Sequence, residues 1–141
     1  MTESEKTNAV LRMQDYIHNH ITEEINLDEV CIVSLYSKRH ALRIFKELLY
    51  KTPSEYIRDL RLTNAQNKLL RDDDKIVDIA FDNGFNSHDG FTKAFSGRFG
   101  TTPKSYRKRN VDDDFLLPTP MSYYYLLLRS KGMNTMGNRT V

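Results

Sequence analysis

The chain of 141 residues has a single cysteine, Cys31, and no apolar run long enough to cross a bilayer. One cysteine excludes an internal disulfide and a cysteine-based zinc site. The only long apolar stretch, residues 121–128, is much shorter than the ~20 residues that a membrane helix needs. Residues 1–6 are polar and lack the apolar core of a signal peptide. These absences predict a cytoplasmic protein without a membrane partner.

An excess of charge of one sign is almost absent as well. Lys and Arg number 21 and Asp and Glu 19, which gives a formal net charge of +2. Affinity for phosphate depends on where the charges lie, and here the acids form the runs 23–24, 72–74 and 112–114, whereas basic residues gather at 38–46 and 104–109. Charge alone leaves two alternatives open, a nucleic-acid-binding surface and an ordinary mixed surface.

The motifs of an enzyme are also missing. No Gly-rich phosphate loop and no nucleophile motif occur in the sequence. The histidines lack the spacing of metal ligands, since two residues apart on a helix point to different faces; they are His18, His20, His40 and His88. We therefore expect no catalysis, no cofactor and no metal.

What the sequence does contain is one helical pattern that occurs twice, about fifty residues apart. Each copy has a short apolar-periodic helix, a Ser beside aromatic residues, and a second helix with basic residues; the copies span about 27–49 and 75–98. Helix, tight turn, helix is the unit that places its second helix in the DNA major groove. The repeat therefore predicts a DNA-binding protein with two reading helices.

Periodicity and caps predict helices throughout residues 8–110. An amphipathic helix is expected from about Val10 to Ile21, after a loose arm over residues 1–7. Capping residues predict further helices at about 27–34, 37–49, 53–71, 75–83, 87–99 and 103–109, with the acidic run 72–74 opening the fourth of these. The long helix over 53–71 has no breaker and is expected to connect two lobes. Phe residues on the second copy are expected in the core.

The most specific stretch is the second copy, which reads Ile76-x-x-Ile79-Ala80-x-x-x-Gly84-Phe85-x-x-x-x-x-Phe91-x-x-x-Phe95-x-x-x-Phe99-Gly100-x-x-Pro103-x-x-Tyr106-Arg107. The first copy adds Ser37-x-x-His40-x-x-Arg43-x-Phe45-Lys46. The connecting helix adds Pro53-x-x-Tyr56-Ile57-x-x-x-Arg61-Leu62-x-x-Ala65-x-x-x-Leu69-Leu70. Over residues 8–110 these spacings resemble the AraC/XylS family of bacterial transcription regulators, in particular its small MarA/SoxS-like members.

The resemblance implies an all-α fold of about seven helices, with two helix-turn-helix lobes joined by a long linker helix and a C-terminal extension over 111–141. It implies a sequence-specific transcription regulator, an activator, that inserts both recognition helices into adjacent major-groove segments about one turn, ~34 Å, apart. The implied partners are double-stranded DNA and RNA polymerase, and the implied location is the cytoplasmic nucleoid. Two unlike recognition helices need no dimer symmetry, so we expect a monomer.

Position by position, the resemblance implies base-reading residues on both recognition helices: Arg39, Leu42, Arg43, His88, Asp89 and Lys93. Residues expected to contact phosphates are Ser37, Lys38, Asn86, Ser87 and Thr92, and Lys46 lies on the same outward face. Several have a plainer alternative: the cations as solvated surface, Leu42 as a packing residue, His88 as a residue that caps or solvates the helix start, and Asp89 as an acid that balances the helix dipole.

Several residues depart from the family pattern. Leu35 and Tyr50 stand where the family usually has glycine, and a side chain in a left-handed turn costs about 1–2 kcal/mol. Leu42 takes the place of a polar residue, with Ala41 where Leu is usual. Gly90 lies within the second recognition helix, at a cost of about 0.5–1 kcal/mol relative to Ala. Weaker or altered DNA binding is the expected consequence.

A second function class remains open. The Tyr- and Leu-rich run at 121–128 could dock on a protein partner or mark a truncated regulator, because soluble monomers rarely leave such apolar patches uncovered. A dispensable tail is the plainer alternative.

Overall fold

The structure, a computed structural model, describes residues 2–109. Within this range the chain forms seven α-helices and no strand: α1 (Glu3–Asn19), α2 (Leu27–Ile32), α3 (Lys38–Leu49), α4 (Pro53–Arg71), α5 (Ile76–Asp82), α6 (His88–Phe99) and α7 (Pro103–Arg109). The all-α fold with seven helices is therefore confirmed. The predictions for the extension over 111–141 lie outside the described residues.

The N-terminus differs from the prediction, because the expected loose arm over residues 1–7 is helical from Glu3 onward. Thr2 and Glu5 form a reciprocal capping box, in which the Glu5 amide donates to Thr2 Oγ1 at 3.1 Å and the Thr2 amide donates to Glu5 Oε2 at 2.9 Å. The prediction was wrong because it relied on apolar periodicity, which is absent before Ala9, whereas the cap satisfies the first amides without any buried side chain.

The described chain divides into two compact units, residues 2–57 and 58–109, with the boundary inside α4. The first unit contains α1, α2, α3 and the start of α4. Its core consists of Ala9, Val10, Met13, Ile17, Val30, Cys31, Ala41, Ile44, Phe45, Leu49, Tyr56 and Ile57. The second unit contains the rest of α4 with α5, α6 and α7, around Leu62, Ala65, Leu69, Ile79, Ala80, Phe91, Ala94 and Phe95.

Both units use the same internal contact, fifty residues apart. In the first, the rings of Phe45 and Tyr56 meet edge to face at 5.4 Å, and Gln14 Nε2 donates to Tyr56 Oη at 3.2 Å. In the second, Phe95 and Tyr106 meet edge to face at 5.5 Å, and Gln66 Nε2 donates to the Tyr106 hydroxyl at 2.7 Å. The sequence repeat is thus also a repeat of packing, and each unit holds one of the two helices that the sequence predicts as recognition helices.

The remaining helix boundaries follow the predicted caps closely, and three details differ. The apolar spacing at 41, 44, 45 and 48 predicts Leu48 as a buried position of α3, but the structure buries Leu49 and leaves Leu48 half-buried. Phe99, expected in the core, is likewise half-buried on α6. The acidic run 72–74 lies in the loop before α5 instead of opening that helix, whose N-cap is Lys75. The loop therefore spans residues 72–75, between the end of α4 at Arg71 and the start of α5 at Ile76.

Leu35 and Tyr50 adopt the left-handed backbone that the departures from the family pattern suggested. Their φ angles are +69° and +61°, and they are the only non-glycine residues with positive φ in the described range. Both side chains are 78% exposed. The second unit has Gly84 and Gly100 in the corresponding conformations, with φ of +85° and +75°. The first unit therefore carries backbone strain that the second avoids.

Candidate nucleic-acid interface

The outward face of α3 is a row of cations. Arg39, Arg43 and Lys46 follow each other at helical spacing, are exposed, and form no ion pair with any residue of the described range. Arg39 and Arg43, together with Ser37 and His40, line an open depression of about 490 Å³ at the start of the helix. This face presents planar guanidinium donors that match a guanine edge or a phosphate.

The position of α3 is fixed by its cap and its buried stripe. Ser37 Oγ accepts from the His40 amide at 3.2 Å, and this bond begins the helix one residue after the predicted start. Ala41, Ile44 and Phe45 have no exposed surface and hold the opposite side against the core. The exposed face is therefore presented by a rigid element, which is what sequence readout requires.

An arginine on α1 fastens the turn before α3. The Arg12 guanidinium donates from Nε to the Val33 carbonyl at 3.0 Å and from Nη2 to the Ser34 carbonyl at 2.8 Å. Buried Ser34 uses its own hydroxyl to bond the Cys31 carbonyl at 2.6 Å. These bonds satisfy the carbonyls at the end of α2 and hold the strained Leu35 turn in place.

The helix α6 begins in the same way. Ser87 Oγ accepts from the Gly90 amide at 3.0 Å, so Gly90 lies in the first turn of α6. His88, Asp89 and Lys93 are exposed, as the sequence predicted for groove-facing residues. The Oγ1 atom of Thr92, in contrast, is buried and has no hydrogen-bond partner among the described residues, which does not suit the phosphate contact expected for it.

The turn before α6 uses a glycine where the first unit has a leucine. A Cβ on Gly84 would lie 2.9 Å from Cζ and Nε of Arg61, which packs against the turn. Partial burial lowers the pKa of the Arg61 guanidinium from its ordinary value. Arg12 and Arg61 thus occupy related places beside the two turns. The family pattern in the connecting helix includes Arg61, but no local motif indicated Arg12, although the two residues are separated by close to the fifty-residue period of the repeat.

The two outward faces differ in charge at equivalent positions. Counted from the capping Ser of each helix, Arg39 corresponds to Asp89, Arg43 to Lys93, and Lys46 to Ser96. The α3 face therefore carries three positive charges, whereas the positive and negative charges on the α6 face cancel. Leu42 and Thr92 also correspond, and both are half-buried.

Several cations that the sequence grouped as basic patches are already engaged. Arg107 donates to the carbonyls of Leu69, Asp72 and Asp74 at 3.0, 2.9 and 2.7 Å, so it closes the C-terminal end of α4. Arg98 on α6, which lies outside those patches, is also engaged, since its guanidinium is 5.4 Å from the centroid of the Phe99 ring.

On α3, Lys38 Nζ lies 2.6 Å from Asp28 Oδ1, and this hydrogen bond raises the pKa of Lys38. No local sequence pattern links positions 28 and 38, so the sequence alone does not indicate this ion pair.

Within the described residues the structure contains no helix that is long and apolar enough to cross a membrane. Residues 2–109 also contain no group of three or more His, Cys, Asp or Glu side chains arranged to hold a metal ion.

Comparison with known proteins agrees with this geometry. A family model described as a helix-turn-helix domain matches residues 33–109, more than half of the chain. The regulatory protein SoxS of Salmonella typhimurium is 38% identical over 95 residues, which cover 67% of this chain and 89% of SoxS. The uncharacterized HTH-type transcriptional regulator YdeC of Bacillus subtilis is 30% identical over 105 residues, which cover 74% of this chain and 36% of YdeC. The chain thus spans about a third of that regulator's length.

Solved structures show the same fold. A transcriptional regulator with an AraC-type DNA-binding domain from Chromobacterium violaceum superposes with a TM-score of 0.71 and 26% identity, covering 75% of this chain and 95% of the other. The DNA-binding domain of AdpA, solved in complex with a target DNA, superposes with a TM-score of 0.69 at 21% identity, covering 74% and 95%, and this likeness shows the fold alone. The chain belongs to the AraC-type family of helix-turn-helix, DNA-binding transcriptional regulators.

Proposed function

We propose that this protein is a sequence-specific transcription regulator that reads two adjacent major-groove segments with α3 and α6. The observation that carries the proposal is the repeated unit, in which a Ser-capped helix on a buried stripe presents an exposed polar face. A helix of this kind fits the width of the major groove, and its N-terminal residues reach the base edges.

The α3 helix supplies the stronger electrostatic contact. Arg39 and Arg43 are proposed to bond guanine through O6 and N7, or a neighbouring phosphate, because their guanidinium groups are exposed and unpaired among the described residues. Lys46 is proposed as a phosphate contact. Half-buried Leu42 packs with one side against the protein and leaves the other for a thymine methyl.

The outward face of α6 has no net charge from Asp89 and Lys93, so its proposed contacts depend less on general attraction to phosphate. Asp89 is proposed to accept from cytosine N4, and Lys93 and His88 to contact base edges or phosphates. A carboxylate in the groove repels phosphates, so binding by α6 depends on a matching base. Buried Thr92 Oγ1 favours a packing role for Thr92, and we leave it out of the proposed contacts.

Phosphate contacts are proposed at the start of both helices. The hydroxyls of Ser37 and Ser87 accept from the helix and keep a hydrogen to donate, and Asn86 lies beside Ser87. Amides of the first turn and the positive end of the helix dipole add to the attraction for an anion. Lys38, the first residue of α3, is the lysine closest to this helix start, and it is proposed as a further phosphate contact.

Further parts of the proposal rest on family likeness. The AdpA domain was solved with a target DNA, which supports duplex DNA as the ligand of this fold. Activation and a contact with RNA polymerase are supported only by resemblance to the small members of the family. Two unlike reading helices on one chain support binding as a monomer, and chromosomal DNA as target implies the cytoplasmic nucleoid. The Tyr- and Leu-rich segment at 121–128 keeps its alternative role as a docking segment.

Selection from random-sequence duplexes followed by sequencing tests the proposal. We expect an enriched motif with two separated blocks. Arg43→Ala should relax one block and Lys93→Ala the other, each by ~1–3 kcal/mol of discrimination. Arg71→Ala is the matched control, since it also removes one exposed positive charge but lies on α4.

The outcomes separate the parts of the proposal. A single block that responds only to Arg43→Ala would show that α6 does not read DNA. No enriched motif, with affinity that collapses as salt rises, would overturn sequence-specific recognition altogether. Sedimentation of the complex on one motif-bearing duplex should give one protein per duplex, and a stable dimer would contradict the monomer.

A further inference from the structure

We propose that Asp28 weakens binding to DNA of every sequence by competing with phosphate for the ammonium group of Lys38. Asp28 lies on α2, outside the proposed contact set, and Lys38 is the first residue of α3. The inference rests on the proposed function, because it concerns how strongly the same surface holds the DNA backbone.

The geometry is that of an internal substitute for phosphate. Lys38 Nζ lies 2.6 Å from Asp28 Oδ1, within the range of a charge-assisted hydrogen bond. Lys38 follows the capping residue Ser37 directly, so its ammonium belongs to the helix start where an anion is favoured. The carboxylate of Asp28 therefore occupies the position that a backbone phosphate oxygen takes when DNA binds.

The pair is exposed enough to exchange. The side chains of Lys38 and Asp28 are 58% and 64% exposed, so water and salt screen their attraction. Exposed pairs of this kind change an equilibrium constant by roughly 1.4- to fivefold. A phosphate can displace Asp28 at this modest cost, and the displaced carboxylate is then left beside the DNA. Arg39 and Arg43 form no ion pair of this kind among the described residues.

The competition also predicts a signature in the salt dependence. Each cation that neutralises a phosphate contributes about 0.9 to the slope of log affinity against log salt. Lys38 contributes less than this in the native protein, because Asp28 already neutralises it. Removing the Asp28 carboxylate should let Lys38 make its full contribution. The slope of log affinity against log salt should then become steeper by up to about 0.9.

The test measures binding of the full chain to a fluorescein-labelled random-sequence duplex by anisotropy over a series of salt concentrations. The variants are Asp28→Asn, Lys38→Met and the double variant. Glu24→Gln is the matched control, since it makes the same charge change on an exposed acid that has no ion pair among the described residues. Thermal melting of each variant sets the temperature at which all are folded.

We expect Asp28→Asn to strengthen binding roughly 1.4- to fivefold at low salt and to steepen the slope, with a smaller effect from Glu24→Gln. In the Lys38→Met background, Asp28→Asn should lose most of its effect. The enriched DNA motif should stay the same, because a phosphate contact carries no sequence information.

Two results would overturn the inference while leaving the proposed function intact. In the first, the native chain binds and Asp28→Asn behaves like Glu24→Gln. In the second, Asp28→Asn strengthens binding equally with and without Lys38, which would mean that the carboxylate repels DNA directly. A native chain without affinity for any duplex would overturn the proposed function, and this inference with it.

Discussion

Replacing Leu35 or Tyr50 by glycine should stabilise the first unit relative to replacing either by alanine. Both residues have positive φ, at +69° and +61°, and both are 78% exposed. Glycine and alanine each remove the side chain beyond Cβ, so their difference isolates the backbone. Within a helix, alanine is more stable than glycine by about 0.5–1 kcal/mol. A difference of the opposite sign at Leu35 and Tyr50 would therefore identify strain from the left-handed backbone.

The magnitude follows from two opposing terms. The left-handed conformation costs an L-residue about 1–2 kcal/mol, which glycine relieves and alanine keeps. Glycine increases the entropy of the unfolded chain, which offsets about 0.4–1 kcal/mol of that gain. The net expectation is that glycine is more stable than alanine by about 0.5–1 kcal/mol at each site. Because the Leu35 side chain is largely exposed, its truncation loses little buried surface. The unfolding free energy of Leu35→Ala should therefore lie within about 0.5 kcal/mol of that of the native protein.

Urea unfolding followed by circular dichroism gives the required comparison. With a slope near 1.5 kcal/mol/M, the glycine variants should have midpoints about 0.3–0.7 M higher than their alanine partners. Equal slopes within each pair confirm that the denatured states are comparable. If alanine matches or exceeds glycine at both sites, the positive φ angles do not store strain, and the reasoning fails.

Three further predictions concern other glycines, a capping arginine and the cysteine. In urea unfolding, Gly97→Ala should raise the free energy of unfolding by about 0.5–1 kcal/mol, and Gly100→Ala should lower it by about 1 kcal/mol. A Cβ meets nothing within 4 Å at either site, and of the two only Gly100 has a positive φ. Arg107→Met should lower the unfolding free energy by about 1–3 kcal/mol, whereas Lys108→Met on the same helix should change it by less than about 0.5. Native Cys31 should react with Ellman's reagent only after unfolding, because burial raises the pKa of its thiol and covers it.

Each of these has a clear contrary result. Equal effects at Gly97 and Gly100 would remove backbone conformation as the cause. Equal losses for Arg107→Met and Lys108→Met would mean that the carbonyl bonds contribute nothing beyond charge. Rapid reaction of Cys31 in the native protein would show that the first unit opens readily around α2.

The positions of the helices could be predicted from the sequence because their signals are local. A Ser before a periodic stripe fixed the start of α3 within one residue of Lys38, and Gly100 fixed the end of α6. The departures at Leu35 and Tyr50 even indicated the left-handed turns. The start of α1 was missed although its cap at Thr2 and Glu5 is equally local, because the arm was assigned from the absence of apolar residues.

The candidate site was less predictable, since long charged side chains choose partners that the fold brings near. Arg107 was grouped with the basic patch, yet its guanidinium bonds three carbonyls some 33 to 38 positions away. Arg12 reaches the carbonyls of residues 33 and 34 in the same manner. Only a three-dimensional arrangement decides which cations remain available, and no run of sequence letters contains that information.

The small net charge of +2 is therefore compatible with DNA binding, and its distribution suggests how the two helices divide the work. Under the proposed function, the three cations on the α3 face, which form no ion pair among the described residues, are expected to supply an attraction that is independent of sequence. On α6, Asp89 stands where α3 has Arg39, so under the proposed function we expect α6 to gain less from general attraction to phosphate and more from a base that donates to the carboxylate. The proposed function therefore predicts that α3 contributes more of the general affinity and α6 more of the discrimination between bases, a division that depends on where the charges lie and not on their total.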